Sequence, residues 1–190
     1  MNTLLIGGAR SGKSALAERL AAEFAAQHPS HEVVVIATAH AGDEEMAARI
    51  AAHRAQRPAG WRTLEAPRAL ADALRAADAP HRCLLVDCLT LWLTNLLLAD
   101  LPPEVDLGTV RHLPLGATFE RERAALLAVL PTLQAAQVLL IGNEVGHGIV
   151  PLGALNRQFV DENGRLHQAV AAQCVQVRFV MAGCALPLKG

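Results

Sequence analysis

Gly7-Gly8-Ala9-Arg10-Ser11-Gly12-Lys13-Ser14 follows a short apolar run, Leu4-Leu5-Ile6, and leads directly into a helical pattern that begins at Ala15. Strand, glycine-rich loop and helix, in that order, form the setting in which G-x-x-x-x-G-K-[ST] holds a nucleoside triphosphate. The glycines let backbone N–H groups turn inward onto phosphate oxygens, and the helix N-terminus adds partial positive charge. Lys13 reaches the outer phosphates as a point charge, and Ser14 offers a hydroxyl to Mg²⁺. Out of context, the same letters could be a glycine-rich turn with a lysine at a helix start. The flanks favour the phosphate loop.

Outward from this loop, the periodicity alternates between strand and helix. Strands are predicted over residues 3–6, 33–37, 83–87, 138–141 and 175–181, the central ones as continuous apolar runs expected of buried parallel strands. Helices are predicted over 13–27, 43–56, 67–77, 89–98, 119–134 and 152–173, with an interruption near Pro131 and a break near Gly164. Gly183-Cys184 turns the chain, and residues 185–189 fold back as an antiparallel edge strand. The expected fold class is α/β: a phosphate-loop, mostly parallel sheet with helices on both faces, in one domain spanning 1–190. Residues 100–116, with prolines at 102, 103 and 114, read as a long surface loop, either functional or merely mobile.

Composition narrows the partners. Hydrophobic residues make up 52% and charged residues 18%, which favours a packed globular chain over a disordered one. With a net charge of −1 and 3% aromatics, nothing favours a nucleic acid or an anionic membrane surface. The most apolar stretch, 83–99, is too polar and too soon broken for membrane insertion. Cys83, Cys88, Cys174 and Cys184 form no C-x-x-C pair and read as buried thiols of a reducing compartment. A phosphate loop starting at Gly7 leaves no room before it for a secretory leader, so the expected location is cytoplasmic.

Chemistry in open α/β sheets collects where strands end. After the second strand comes Thr38-Ala39-His40, and the third ends on Asp87. The fourth runs into Gly142-Asn143-Glu144-Val145-Gly146-His147-Gly148. Asp87 closes an apolar run, as does the carboxylate that supports Mg²⁺ in phosphate-loop enzymes; it could equally cap the helix that follows. Arg49, His53 and Arg57 are four apart, with Arg54 adjacent, so they share a helix face. Surrounding cations disfavour imidazole protonation and leave a nucleophile, and the arginines suit phosphate oxygens. The alternative is a solvated basic face with a bystander histidine. The loop 143–151 is an anion or substrate loop, or a flexible connection. The remaining histidines read as surface or packing groups, and Trp61 and Trp92 as core.

Together these pieces resemble the family of bifunctional adenosylcobinamide kinase / adenosylcobinamide-phosphate guanylyltransferases. The resemblance rests on the phosphate loop, Ile36-Ala37-Thr38, Glu45-Met46-Ala47-Ala48-Arg49-Ile50, His53, Arg57-Pro58 and Trp61-Arg62-Thr63 with Glu65. It continues through Thr94-Asn95-Leu96-Leu97, Asn143-Glu144-Val145-Gly146-x-Gly148-Ile149-Val150-Pro151, Gly164-Arg165 and Gln168. It implies kinase and guanylyl transfer with GTP (or ATP for the kinase step) and Mg²⁺, a corrinoid substrate, and a homotrimer. It implies that His53 is guanylylated and Lys13 supports catalysis. Implied nucleotide contacts are Gly7, Gly8, Ala9, Arg10, Ser11, Gly12, Lys13, Ser14, Ala37, Thr38, Ala39, Arg54, Ala55, Gln56, Arg57, Glu65 and Asp87, with Ser14 and Asp87 on the metal. Departures are Ala52 where some members have the first of two histidines, Asp87 where some have Glu, His167 where Asn often precedes the Gln, and a longer, proline-richer 100–116 loop.

Overall fold

The computed structural model describes residues 1–39, 57–102, 104–108 and 110–190. The strands are β1 (Asn2–Gly7), β2 (Glu32–Ala37), β3 (Arg62–Glu65), β4 (Arg82–Asp87), β5 (Gln137–Asn143), β6 (Gln176–Met181) and β7 (Cys184–Lys189). The helices are α1 (Lys13–Ala26), α2 (Leu70–Ala77), α3 (Leu89–Leu97), α4 (Ala117–Val129) and α5 (Ala154–Gln173). All seven strands lie in one sheet, ordered β3-β2-β4-β5-β1-β6-β7, parallel except for the β6–β7 hairpin.

The side-chain alternation of the inner strands feeds two cores. Leu4, Val34, Ile36, Leu84, Val86, Val138 and Leu140 face one side, where residues of α2, α3, α4 and α5 join them. Leu5, Val33, Val35, Cys83, Leu85, Leu139 and Ile141 face the other, where α1 packs with Leu16, Ala17, Ala21 and Phe24. Helices therefore cover both faces, as predicted. Among the described residues, no helix is long and apolar enough to cross a membrane.

Several expectations change. The edge strand β3 has no counterpart among the predicted strands: Arg-Thr-Leu-Glu is only partly buried and carries no apolar run. Strand β5 extends to Asn143 because Gly142 and Asn143 pair with Ile6 and Gly7 of β1; Gly142 lies under the His167 ring, where a Cβ would collide with Nε2. Helix α5 runs unbroken through Gly164, anchored on either side by buried Glu162, Asn163, Leu166 and His167. Helix α4 ends at Val129, and Leu130–Thr132 tightens into a 3-10 turn at Pro131. The hairpin turn is Ala182-Gly183, with φ of 52° and 77°, not Gly183-Cys184. Positive φ at both central residues suits the right-handed twist of the flanking strands. Cys184 is exposed on that hairpin, so only Cys83, Cys88 and Cys174 are buried thiols. Trp92 is fully buried, its Nε1 donating to the Arg68 carbonyl at 2.7 Å, while Trp61 is only partly buried. The helix predicted over 43–56 lies outside the described residues.

Candidate active site

Sheet register brings the strand ends to one edge in two steps: Val86 is level with Leu140 and Leu4, so β1 and β5 reach two residues beyond the row that ends β2, β3 and β4. Ala37 on β2 is level with Glu65 on β3 and Asp87 on β4, and Gly7 on β1 is level with Asn143 on β5. The phosphate loop rises from this edge between β1 and α1. Ser11 N–H donates to the Gly8 carbonyl at 3.2 Å, and Leu16 N–H to the Gly12 carbonyl at 2.9 Å. Gly12 is left-handed, with φ of 95°, and a Cβ there would sit 3.0 Å from Gly183 Cα. Gly183 N–H in turn donates to the Ser11 carbonyl at 2.8 Å, so the hairpin turn buttresses the loop. Lys13 is buried, its ammonium donating to the Gly8 carbonyl at 3.0 Å. Its charge lies inside the curve of the loop, where anionic oxygens would sit.

Thr38 is fully buried, and each of its polar atoms has a protein partner. Oγ1 donates to the Cys88 carbonyl at 2.7 Å and accepts from Cys88 N–H at 2.8 Å. Its N–H donates to the Asp87 carbonyl at 3.1 Å, and its carbonyl accepts from Asn95 Nδ2 at 2.8 Å. Thr38 is therefore a brace between the ends of β2 and β4, and it fixes Ala37 and Ala39 beside it. Helix α3 starts at Leu89 with Cys88 in the cap position and no side-chain cap bond, so Asp87 does not cap it. The Asp87 carboxylate instead accepts from Arg57 Nη2 at 3.1 Å.

Ser14 and Asp87 supply a hydroxyl and a carboxylate, hard oxygen donors of the kind Mg²⁺ takes one or two of while keeping its waters and phosphate oxygens. The Arg57 guanidinium at Asp87 shows that the carboxylate already faces positive charge. Both residues fit the expected ion. At the β3 edge a cavity of about 690 Å³ is lined by Leu64, Glu65, Ala66, Pro67, Arg68 and Asn95, among others. It includes Glu65 but no residue of the phosphate loop. Its apolar walls carry the Glu65 and Asp72 carboxylates, Arg68 and the Asn95 amide, polar groups that can orient a flat polar ring.

Thus Gly7 to Ser14, Ala37 to Ala39, Arg57, Glu65 and Asp87 gather at one edge of the sheet. His53, Arg54, Ala55 and Gln56 lie outside the described residues. Sequence reasoning passed over the braces: Thr90, whose Oγ1 accepts from Asn143 N–H at 2.7 Å; Asn163, whose Nδ2 donates to the Asn143 carbonyl at 3.0 Å; and Gly183. No local pattern marks these, since each acts through a contact distant in sequence. His167 is buried against Gly142, and burial lowers its pKa despite an opposing pull from Glu144.

The sequence profile of the family described as cobinamide kinase / cobinamide phosphate guanyltransferase matches residues 3–188. The bifunctional adenosylcobalamin biosynthesis protein CobP of Pseudomonas aeruginosa is 55% identical over all of this chain and 98% of its own. The bifunctional adenosylcobalamin biosynthesis protein CobU of Salmonella typhimurium is 40% identical over the full length of both chains. The solved flagellar accessory protein FlaH of Methanocaldococcus jannaschii aligns at a TM-score of 0.44 and 12% identity over 99% of this chain and 77% of that one, and adds nothing to the assignment. The chain belongs to the cobinamide kinase / cobinamide phosphate guanyltransferase family, a family of enzymes.

Proposed function

We propose that this chain phosphorylates adenosylcobinamide with a nucleoside triphosphate and then transfers GMP from GTP to the product, yielding adenosylcobinamide-GDP and pyrophosphate. The family match over residues 3–188 carries this reading. The gathering of strand ends beside the phosphate loop supports it.

In the kinase step the acceptor hydroxyl oxygen attacks the γ-phosphorus, the bond from that phosphorus to the β,γ-bridging oxygen breaks, the nucleoside diphosphate departs with that oxygen, and the hydroxyl proton passes to water. In guanylyl transfer an imidazole nitrogen of His53 attacks the α-phosphorus and pyrophosphate departs. An oxygen of adenosylcobinamide phosphate then attacks the same phosphorus, the P–N bond breaks and His53 is restored. A covalent relay lets one phosphate loop serve two chemistries, because a phosphate loop ordinarily presents the γ-phosphate. Lys13 and the loop N–H groups hold the charge that develops on phosphate oxygens. Ser14 and Asp87 would hold Mg²⁺, which would supply positive charge against the phosphate oxygens. Glu65, in the cavity it shares with Arg68, Asp72 and Asn95, accepts hydrogen bonds from the guanine N1–H and amino group, and Ala37, Ala39 and the 54–57 segment line the nucleotide. The active form is a homotrimer of the cytoplasm.

The test is incubation with α-labelled GTP and Mg²⁺, then denaturation and peptide mapping. An acid-labile, base-stable label on the His53 peptide, absent in His53→Ala, is expected. Phosphorylation of cobinamide without any such label would reduce the chain to a kinase. Sedimentation gives the oligomeric state, with three copies expected.

A further inference from the structure

Arg57 stands where the proposed reading requires a divalent cation. Its Nη2 donates to Asp87 Oδ2 at 3.1 Å, and the two side chains are 7% and 20% exposed. Its Nε lies 3.9 Å from Glu18 Oε1, beyond hydrogen-bond length, and is buried with no hydrogen-bond partner. The guanidinium is thus sunk between two carboxylates with a donor to spare. A buried donor left unpaired is costly, so this cation favours any further acceptor that reaches it.

A hydrated divalent cation would seek the same Asp87 oxygens for the same electrostatic reason, and it would repel the guanidinium. Two cations can share this corner only once more negative charge arrives. Triphosphate oxygens bring it, and they offer Arg57 the forked acceptors its geometry matches. We propose that Arg57 is a selectivity residue for the cation. In the nucleotide-free protein it occupies Asp87 and turns away bare divalent ions. It yields the carboxylate when the triphosphate arrives, so the cation enters with its nucleotide. This inference rests on reading Asp87 as a cation ligand.

The test uses Mn²⁺, whose free form is read by electron paramagnetic resonance, titrated into the full chain with and without a hydrolysis-resistant GTP analogue. Wild-type protein is expected to bind bare Mn²⁺ weakly and Mn²⁺ with the analogue well. Arg57→Gln should bind bare Mn²⁺ at least tenfold more tightly. Arg57→Lys, which keeps the charge, should stay near wild type. Adding Asp87→Asn to Arg57→Gln should erase the gain. Thermal melting confirms that each variant is folded, and Arg57→Met, which keeps the aliphatic stem, replaces Arg57→Gln if that variant melts early. If neither neutral variant gains bare Mn²⁺ affinity while Asp87→Asn still weakens binding with the analogue, the inference falls and the cation reading stands. If Asp87→Asn leaves Mn²⁺ binding with the analogue unchanged, the cation reading itself falls.

Discussion

Gly7 has no room for a side chain. A Cβ there would press into the Val180 carbonyl oxygen, a backbone atom that cannot rotate away, and would sit 2.7 Å from Ser11 Oγ. The strand end therefore approaches β6 more closely than any other residue allows. Gly7→Ala is expected to lower stability in urea by about 1–3 kcal/mol through overpacking. The same shift should weaken nucleotide binding, because it displaces the loop amides. An unchanged urea midpoint would show that the strand end relaxes at no cost. Lys13 makes the opposite kind of prediction. Its ammonium is held in the loop by the Gly8 carbonyl at 3.0 Å, ready to exchange that partner for phosphate. Lys13→Met should weaken GTP binding by roughly tenfold to a hundredfold, the loss of charge-assisted hydrogen bonds worth about 1.5–3 kcal/mol. Calorimetric titration reads the affinity, and a melting temperature that collapsed instead would make the lysine structural. Both residues were legible in the sequence because the motif is contiguous: eight neighbouring letters fix strand end, turn and helix start.

Helix α5 ties the site's loops together. Gln158 accepts from Leu113 N–H at 2.8 Å and donates to the Leu113 carbonyl at 2.6 Å, while Asp100 accepts from Thr118 N–H at 3.0 Å and Oγ1 at 2.7 Å. The neck of the 100–116 loop is thus closed, and its far arm is clamped to α5, with Leu113 buried. Gln158→Ala leaves the buried Leu113 amide unpaired. It should cost about 1–3 kcal/mol and speed proteolytic cutting within the loop; cutting at the wild-type rate would show that the clamp carries no weight. Gly164 sits mid-helix, and a Cβ added there would have open space for 4 Å around it. Gly164→Ala should therefore raise stability by about 0.5–1 kcal/mol, read from urea melts, since only backbone freedom in the unfolded chain is removed. The sequence misjudged this helix for a physical reason. A glycine favours a break locally, but the buried side chains of Asn163, Leu166 and His167 hold the helix from the core, and tertiary packing outweighs propensity. Strand β3 escaped notice for the converse reason. Its four residues have little apolar content, and pairing with β2 creates the strand.

At the scale of the whole molecule, the alternation of apolar runs was enough to predict the layered parallel sheet, because inner strands buried on both faces must be apolar throughout. The braces of the site were not legible. Thr38 to Cys88, Asn163 to Asn143 and Gly183 to Ser11 are contacts across 50, 20 and 172 residues, and only the folded sheet brings them together. His167 belongs to this second group and makes stability depend on pH. Burial lowers its pKa below the ordinary 6.5, and the nearby Glu144 carboxylate opposes the shift more weakly. The unfolded chain therefore takes up a proton before the folded one does. The resulting stability is fully present above 6.5 and is lost as pH falls from there towards the lower folded value. The carboxylates with lowered pKa, Glu32 and Asp100, start from 4.5 and 3.8 and lie on the surface, so their contribution fades only at more acid pH. Urea melts of the wild type should thus show stability falling between about pH 7 and 5. His167→Asn, uncharged throughout, should flatten that slope while keeping the more acid limb. Parallel curves for the two proteins would mean that His167 gains a proton as readily when folded as when unfolded, and that its buried place over Gly142 imposes no penalty on charge.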